Sequence, residues 1–326
     1  MSRAAYSKGF SSQQKSPAPA NGEVYAGALQ GAEQRLAVLA TRVVGTVQGC
    51  VVARRRVDLY TMLGAGERAV AVALECLRHV GIDWLTHPNE VQTRDEYERV
   101  WSLLENRAIE DVVDLALMQD PEAVATLGVL SSLSIPAMYI GDDLGTLSYC
   151  RATNLSLERG NSDLAPFNYA ATGLIASARF GHHDEGYRLA KMACDLLERR
   201  GLTHFGGRTY FVFAAVVPWI RPLREGLHPA RRAFEMAKEH GDPAFAAMGC
   251  RALGAILLAL GHPLDQIELE AEQGLEYVRR FGFFLDRISA LLALVRTLRG
   301  KKFGKARAWQ SSCMAKSAPG GCGRAS

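Results

Sequence analysis

The cluster His182-His183-Asp184-Glu185 is the part of this chain that comes closest to a metal site. Two histidines clamp a metal from one helix when they are four residues apart, whereas adjacent side chains point about 100° apart. Asp184 and Glu185 also suit the first turn of a helix, where carboxylates offset the positive end of the helix dipole. We therefore interpret the cluster as a turn followed by a helix start, and we predict no metal and no cofactor.

The segment 300–305, Gly-Lys-Lys-Phe-Gly-Lys, is the nearest match to a phosphate-binding loop. That loop needs four residues between its glycines and a Ser or Thr after the lysine, but here three residues intervene and Ala306 follows. A solvated basic tail is the better interpretation. The sequence contains no GxSxG, HExxH or GxGxxG motif and no kinase catalytic triplet, so we predict that the chain is not an enzyme.

The stretch from Trp219 to Glu225 combines the residue types favoured at protein-interaction hot spots with a helix breaker. Pro222 disfavours a continuous helix here, which predicts a long turn between two helices. Trp219, Arg221 and Arg224 are therefore our candidates for contact with a protein partner. The alternative is that they serve only the core and the turn.

The elements that position these residues are defined by regularly spaced glycines. Gly181, Gly201, Gly241, Gly261 and Gly282 are separated by 20, 40, 20 and 21 residues, and each closes a helical pattern. Glycine is the residue best suited to the left-handed conformation that ends a helix. A period near 40 residues that contains two helices is typical of an array of helical hairpins. The apolar stretch 210–217 fits a buried helix better than a buried strand.

Small residues follow two of the turns at matching offsets of five, nine and twelve. After Gly64 and Gly181 these positions hold Ala69, Ala73 and Cys76, and Gly186, Ala190 and Ala193. Small side chains allow two helices to approach closely, as in the second helix of a tetratricopeptide repeat. The pattern fails after Gly261. We predict an all-α fold, a right-handed α-solenoid of antiparallel helix pairs with degenerate tetratricopeptide-like repeats. In its helix over 265–281 we place Ile267 inward and Glu268 outward.

Composition divides the chain into three parts. Residues 1–30 read as a disordered or non-native N-terminal segment, 31–300 as the helical-repeat domain, and 301–326 as a disordered basic tail. Removing the nine positive charges of segments 1–22 and 301–326 from the formal net charge of +4 leaves about −5 for 23–300. A weakly acidic body gives no electrostatic footprint for nucleic acid.

Two further features bear on location. The N-terminal residues lack the apolar core of a signal peptide, and the longest apolar run, 210–220, is shorter than the ~20 residues of a membrane span. Seven widely spaced cysteines without a CxxC motif resemble neither a disulfide framework nor a zinc module. We expect a soluble, cytoplasmic protein without membrane insertion.

Several stretches in the right order resemble the central helical region of large bacterial signalling proteins. They are 57–60, 70–84, 97–104, 109–111, 154–163, 208–210 and 233–247. Proteins of this family carry a serine/threonine kinase-like domain, an AAA-type ATPase, the tetratricopeptide-like region, and then GAF and sensor histidine kinase modules. The resemblance covers roughly 35–300. The catalytic motifs of the family have no matching positions here, so the resemblance carries over no site residue.

The resemblance implies a scaffold or relay segment whose partners are another protein or the neighbouring kinase and ATPase domains. Because the family's helical pattern is lost at both ends, we expect the chain to be a fragment. Two alternatives stay open. One is the ligand-sensing arm of an ATP-dependent transcription regulator, and the other is an enzyme whose active site is assembled from distant residues.

Overall fold

A computed structural model describes residues 22–281 and 285–301, with the side chains of 22–30, 286 and 287 excepted. This part of the chain is all-helical, as predicted, and contains no strand. The helices are α1 Gly22–Arg42, α2 Thr46–Met62, α3 Gly66–His79, α4 Glu90–Leu104, α5 Pro121–Ile140, α6 Asp142–Arg159, α7 Ala165–Ala178, α8 His183–Arg200, α9 Gly206–Val216, α10 Leu227–Glu239, α11 Pro243–Ala259, α12 Leu264–Arg279 and α13 Leu285–Leu298. Short 3₁₀ turns occupy Ile109–Asp114, Thr203–Phe205, Val217–Trp219 and Leu223–Gly226.

Most helices that are consecutive in the chain pack as pairs, whereas α4 packs mainly on α6. The most extensive contacts join α7 with α8, α5 with α6, α10 with both α9 and α11, and α2 with both α3 and α5. From α7 onward, alternate helices are also in contact. The helix α9 contacts both α7 and α11, and α11 contacts α13. The prediction of packed helix pairs is therefore confirmed.

Glycine ends the helices as the sequence predicts. Gly181, Gly201, Gly241 and Gly261 have φ values between 67° and 74°, in the left-handed region that favours glycine. Gly282 lies outside the described residues. The turns at these glycines are short, so each helix folds back on its predecessor.

The predicted close approach of small residues is confirmed between α7 and α8. A Cβ atom added to Gly186 would lie 2.4 Å from the backbone oxygen of Gly173. A Cβ atom added to Gly173 would lie 2.5 Å from the backbone oxygen of Gly186. The two backbones therefore touch at a point where only glycine fits on either side.

The helix α5 is longer than the apolar run that the sequence analysis singled out. An 18-residue window within its 20 residues has a mean hydropathy of 1.6, which is sufficient in length and composition for a membrane span, and 61% of this window is buried inside the protein. Its serines hydrogen-bond within the fold: Ser131 Oγ donates to Asn168 Oδ1 at 3.1 Å, and Ser132 Oγ donates to Asp58 Oδ1 at 2.7 Å. These contacts give α5 the packing of a core helix.

The predicted domain boundaries lie at 30 and 300. The helix α1 begins at Gly22, inside the segment 1–30, whose assignment as disordered or non-native stays a prediction. The helix α1 forms for a local reason, because 23–42 contains no proline and is rich in Ala, Leu, Glu and Gln, which are good helix formers. Residues 1–21 and 302–326 lie outside the described residues.

Candidate functional site

Trp219 and Arg221 lie on the first turns of α8. The indole of Trp219 is 46% exposed and stacks on His183, with ring centroids 5.4 Å apart and an angle of 17° between the planes. The guanidinium carbon of Arg221 lies 5.3 Å from the ring centre of Tyr187. We call these four side chains the Trp219 surface. Arg224 is exposed in the following turn and belongs to neither pair.

The turn that carries the Trp219 surface has the predicted form. Two 3₁₀ turns, Val217–Trp219 and Leu223–Gly226, flank Pro222 and replace a continuous helix. Stacking on α8 fixes the orientation of Trp219 and Arg221 while leaving both exposed. A side chain that is already ordered loses less conformational entropy when a partner binds, so this geometry suits protein contact.

The two adjacent histidines at the start of α8 point to different partners. His182 Nδ1 lies 2.7 Å from the hydroxyl oxygen of Tyr97, whereas His183 stacks on Trp219. Asp184 and Glu185 occupy the first turn of α8, as the sequence analysis expected. No group of three or more His, Cys, Asp or Glu side chains converges in the part of the chain that the structure describes. The prediction that no metal is bound stays a prediction.

A second cluster, which the sequence analysis missed, brings two arginines to one aromatic ring. Arg54 comes from α2 and Arg208 from α9, with the six helices α3 to α8 between them in the chain. Their guanidinium carbons lie 5.7 Å and 5.2 Å from the ring centre of Phe205. We call these three residues the arginine site.

Arg208 is held in place on several sides. Its guanidinium carbon also lies 4.8 Å from the ring centre of Phe245 and 5.8 Å from that of Phe167. Its Nε donates to Asp242 Oδ2 at 2.7 Å. The other oxygen of Asp242 accepts the backbone N–H of Phe245 at 3.2 Å and so caps α11. Asp242 therefore has one hydrogen bond on each of its oxygens.

Arg54 lacks a hydrogen bond at Nε of the kind that Arg208 makes with Asp242. Its Nε is buried and has no hydrogen-bond partner in the described structure. Burial lowers the pKa of Arg54, the positive charges of Arg55 and Arg208 lower it further, and the charge of Asp58 opposes both effects. Asp58 Oδ1 accepts the hydroxyl of Ser132. Arg54 therefore bears a burial cost at Nε that no hydrogen bond in the described structure offsets.

Two histidines lie beside the arginine site. The rings of His204 and His240 meet edge to face, with centroids 6.0 Å apart. Burial lowers the pKa of His204, and the neighbouring positive charges of His240, Arg54 and Arg208 lower it further against the opposing charge of Asp163. Burial is thus the main reason that His204 favours its neutral form.

Glu268 on α12 is buried, so its predicted outward orientation is wrong. It is only 4% exposed, because the chain after α13 passes over it. Its carboxylate accepts hydrogen bonds from Arg296 Nε at 2.9 Å, from Lys301 Nζ at 2.7 Å and from Arg299. These donors lower the pKa of Glu268 to about 2, the Lys301 contact most of all. Lys301, the first lysine of the phosphate-loop-like segment, is thus paired with a carboxylate, and 302–305 lie outside the described residues.

No model of a known protein family matches this sequence, and no curated protein matches it either. The resemblance of 35–300 to the helical region of kinase–ATPase signalling proteins therefore stays a prediction. The arguments below rest on the geometry of the described residues.

Proposed function

We propose that the described helices form a right-handed α-solenoid of tetratricopeptide-like pairs, which acts as a non-catalytic scaffold in a bacterial signalling protein. The observation that carries this proposal is the contact pattern from α7 to α13, where each helix packs against its successor and α7, α9, α11 and α13 follow one another as neighbours. Such a pattern adds each pair to the preceding one and builds a continuous face from alternate helices.

The inner face of such an array brings distant residues together. The convergence of Arg54 from α2 with Phe205 and Arg208 beside α9 is the behaviour expected when successive pairs curve around a common groove. Scaffolds of this type bind proteins through side chains on rigid helices, with little rearrangement of their own backbone.

The Trp219 surface supports a protein partner in particular. An exposed indole stacked on His183, next to Arg221 packed on Tyr187, offers aromatic and cationic contact area at a low entropic cost. We further propose that the partners are the kinase-like and ATPase segments that the family resemblance implies, and that the protein acts in the cytoplasm as a relay between them.

The test begins with the coding sequence that flanks this chain. Segments encoded there are produced with the chain, and their affinity for it is measured by calorimetry. We expect Trp219→Ala combined with Arg221→Ala to weaken binding at least tenfold, as is typical of hot-spot residues. The matched control is Leu269→Ala, because Leu269 is an exposed apolar residue on α12.

Two outcomes would contradict the proposal. The first is flanking sequence that encodes neither a kinase-like nor an ATPase segment. The second is a double variant that binds its neighbour as tightly as the wild type and the Leu269 control. Circular dichroism of each variant shows whether a loss of binding reflects a loss of fold.

A further inference from the structure

We propose that Arg54 and Arg208 together bind an oxyanion, the side-chain carboxylate of an acidic segment in the partner protein. This inference rests on the proposed scaffold function and names the chemistry of its partner. The recognition element is the arginine site, in which two guanidinium groups share the ring of Phe205.

Asp58 and Asp242 balance the charges of the two arginines, but one buried donor of the site lacks an acceptor in the described structure. Asp242 binds Arg208 through one oxygen and caps α11 through the other. Asp58 lies one turn along α2 from Arg54 and accepts the hydroxyl of Ser132 at 2.7 Å. Arg54 thus keeps a buried Nε without an acceptor while a second guanidinium lies across the same ring. A carboxylate placed between the two arginines would accept hydrogen bonds from both guanidinium groups.

The shape of the site favours a planar oxyanion. Arginine presents a fork of N–H donors that matches a carboxylate in two parallel hydrogen bonds. The rings of Phe167, Phe205 and Phe245 lie around Arg208, which leaves its side chain 24% exposed, and apolar surroundings strengthen hydrogen bonds between charged groups. The methylene chains and rings around the charges would contact the apolar part of a glutamate side chain.

The two guanidinium groups are brought together locally. Residues 23–300 carry about −5 in total, yet Arg54 and Arg208 lie at the same aromatic ring. Long-range attraction by net charge would not bring an acidic peptide to this body. A loss of affinity that is specific to the removal of Arg54 therefore separates recognition at this site from general electrostatic attraction.

The backbone of α5 makes room for Arg54. A Cβ atom added to Gly128 would lie 3.2 Å from Cδ and 3.4 Å from Nη1 of Arg54. The side chain of Arg54 therefore runs across a glycine on the neighbouring helix, in a path that a larger residue would obstruct. This packing fixes the stem of Arg54 and holds its charged end beside Phe205.

The experiment uses the full chain and a fluorescein-labelled hexaglutamate peptide, with fluorescence polarisation measured at low salt. We expect the wild type to bind and Arg54→Gln to weaken binding about tenfold or more. The control is Arg55→Gln, which removes the same charge from the adjacent, exposed position and is expected to change affinity less than about twofold. Arg54→Lys keeps the charge but loses the fork, so it is expected to lie between the two.

Three outcomes would overturn the proposal. They are equal effects of Arg54→Gln and Arg55→Gln, no binding of hexaglutamate by the folded wild type, and complete displacement of the bound peptide by inorganic phosphate at millimolar concentration. The last result would assign the site to phosphate. Retention of the Trp219-dependent binding in each case would leave the scaffold function standing, because the two surfaces are tested by separate variants.

Discussion

Cys50 on α2 and Cys76 on α3 place their Sγ atoms 3.5 Å apart. Cys50 is buried and Cys76 is half-buried, and both are free thiols. They lie at the open end of the α2–α3 hairpin, each thirteen residues from Leu63 in the turn. A disulfide requires about 2.05 Å between the sulfurs, so a small shift of the two side chains would suffice.

The first prediction is that diamide joins Cys50 to Cys76, as the two thiols lose two protons and two electrons to the reagent. Closing a loop of this length restricts the unfolded chain and should stabilise the hairpin by roughly 3 kcal/mol in an unstrained geometry. Peptide mapping without reductant detects the link, and thermal unfolding detects the stabilisation.

Cys76→Ser is the control for this cross-link, since it should abolish the linked peptide while the buried Cys150 and Cys194 stay reduced. A disulfide formed by Cys50 with any other cysteine would show that α2 and α3 do not pack in this register.

The second prediction concerns the cost of the unpartnered arginine. Replacing Arg54 by Met keeps an unbranched side chain of similar length but removes a charge whose buried Nε has no acceptor. We expect the variant to be more stable than the wild type by about 1 kcal/mol, as measured by urea unfolding.

Arg55→Met is the matched comparison, because Arg55 is exposed on the same helix and its replacement should change stability by less than about 0.5 kcal/mol. If Arg54→Met were instead less stable than both, Arg54 would be a structural residue and the case for a ligand at the arginine site would be lost.

The third prediction tests the contact between α7 and α8. A methyl group at Gly186 would lie 2.4 Å from the backbone oxygen of Gly173, so the two helices must separate. We expect Gly186→Ala to lower the free energy of unfolding by about 2 kcal/mol.

Gly49→Ala provides the control for Gly186→Ala. Gly49 lies within α2, and a Cβ atom there meets nothing within 4 Å. Because alanine favours the helix more than glycine does, this variant should be more stable by about 0.5–1 kcal/mol. Equal effects of the two changes would mean that α7 and α8 do not touch at Gly186.

The helices and their ends were predictable because the signals for them are local. Glycines such as Gly181 and Gly261 end amphipathic segments, and the small residues that follow Gly181 mark the face that meets α7. The Cys50–Cys76 pair was also within reach, since residues equally far from a hairpin turn face each other. Cys76 entered the prediction only as a small residue that follows Gly64, so its pairing with Cys50 was missed.

The arginine site was not predictable in the same way. Arg54 and Phe205 meet only because the orientations of all the helices between them add up to bring α2 beside the start of α9. No residue spacing in the sequence indicates how the orientations of these helices combine. The outward orientation predicted for Glu268 was wrong for a related reason. The face of α12 that carries Glu268 would be exposed on the isolated helix, and it is covered only when residues 296–301 pass over it.

The last prediction follows from the three donors around Glu268. Their hydrogen bonds lower its pKa from the ordinary 4.5 to about 2, so the native state holds the carboxylate charged more strongly than the unfolded chain does. The stabilisation is therefore complete above about pH 4.5 and is lost as the pH falls towards 2. Glu268→Gln should lower the melting temperature at pH 7, and the difference from the wild type should shrink between pH 4.5 and 2. Glu276→Gln, an exposed change on the same helix, should show little difference at either pH. A deficit of Glu268→Gln that stayed constant down to pH 2 would mean that the ion pairs with Arg296 and Lys301 do not carry the effect.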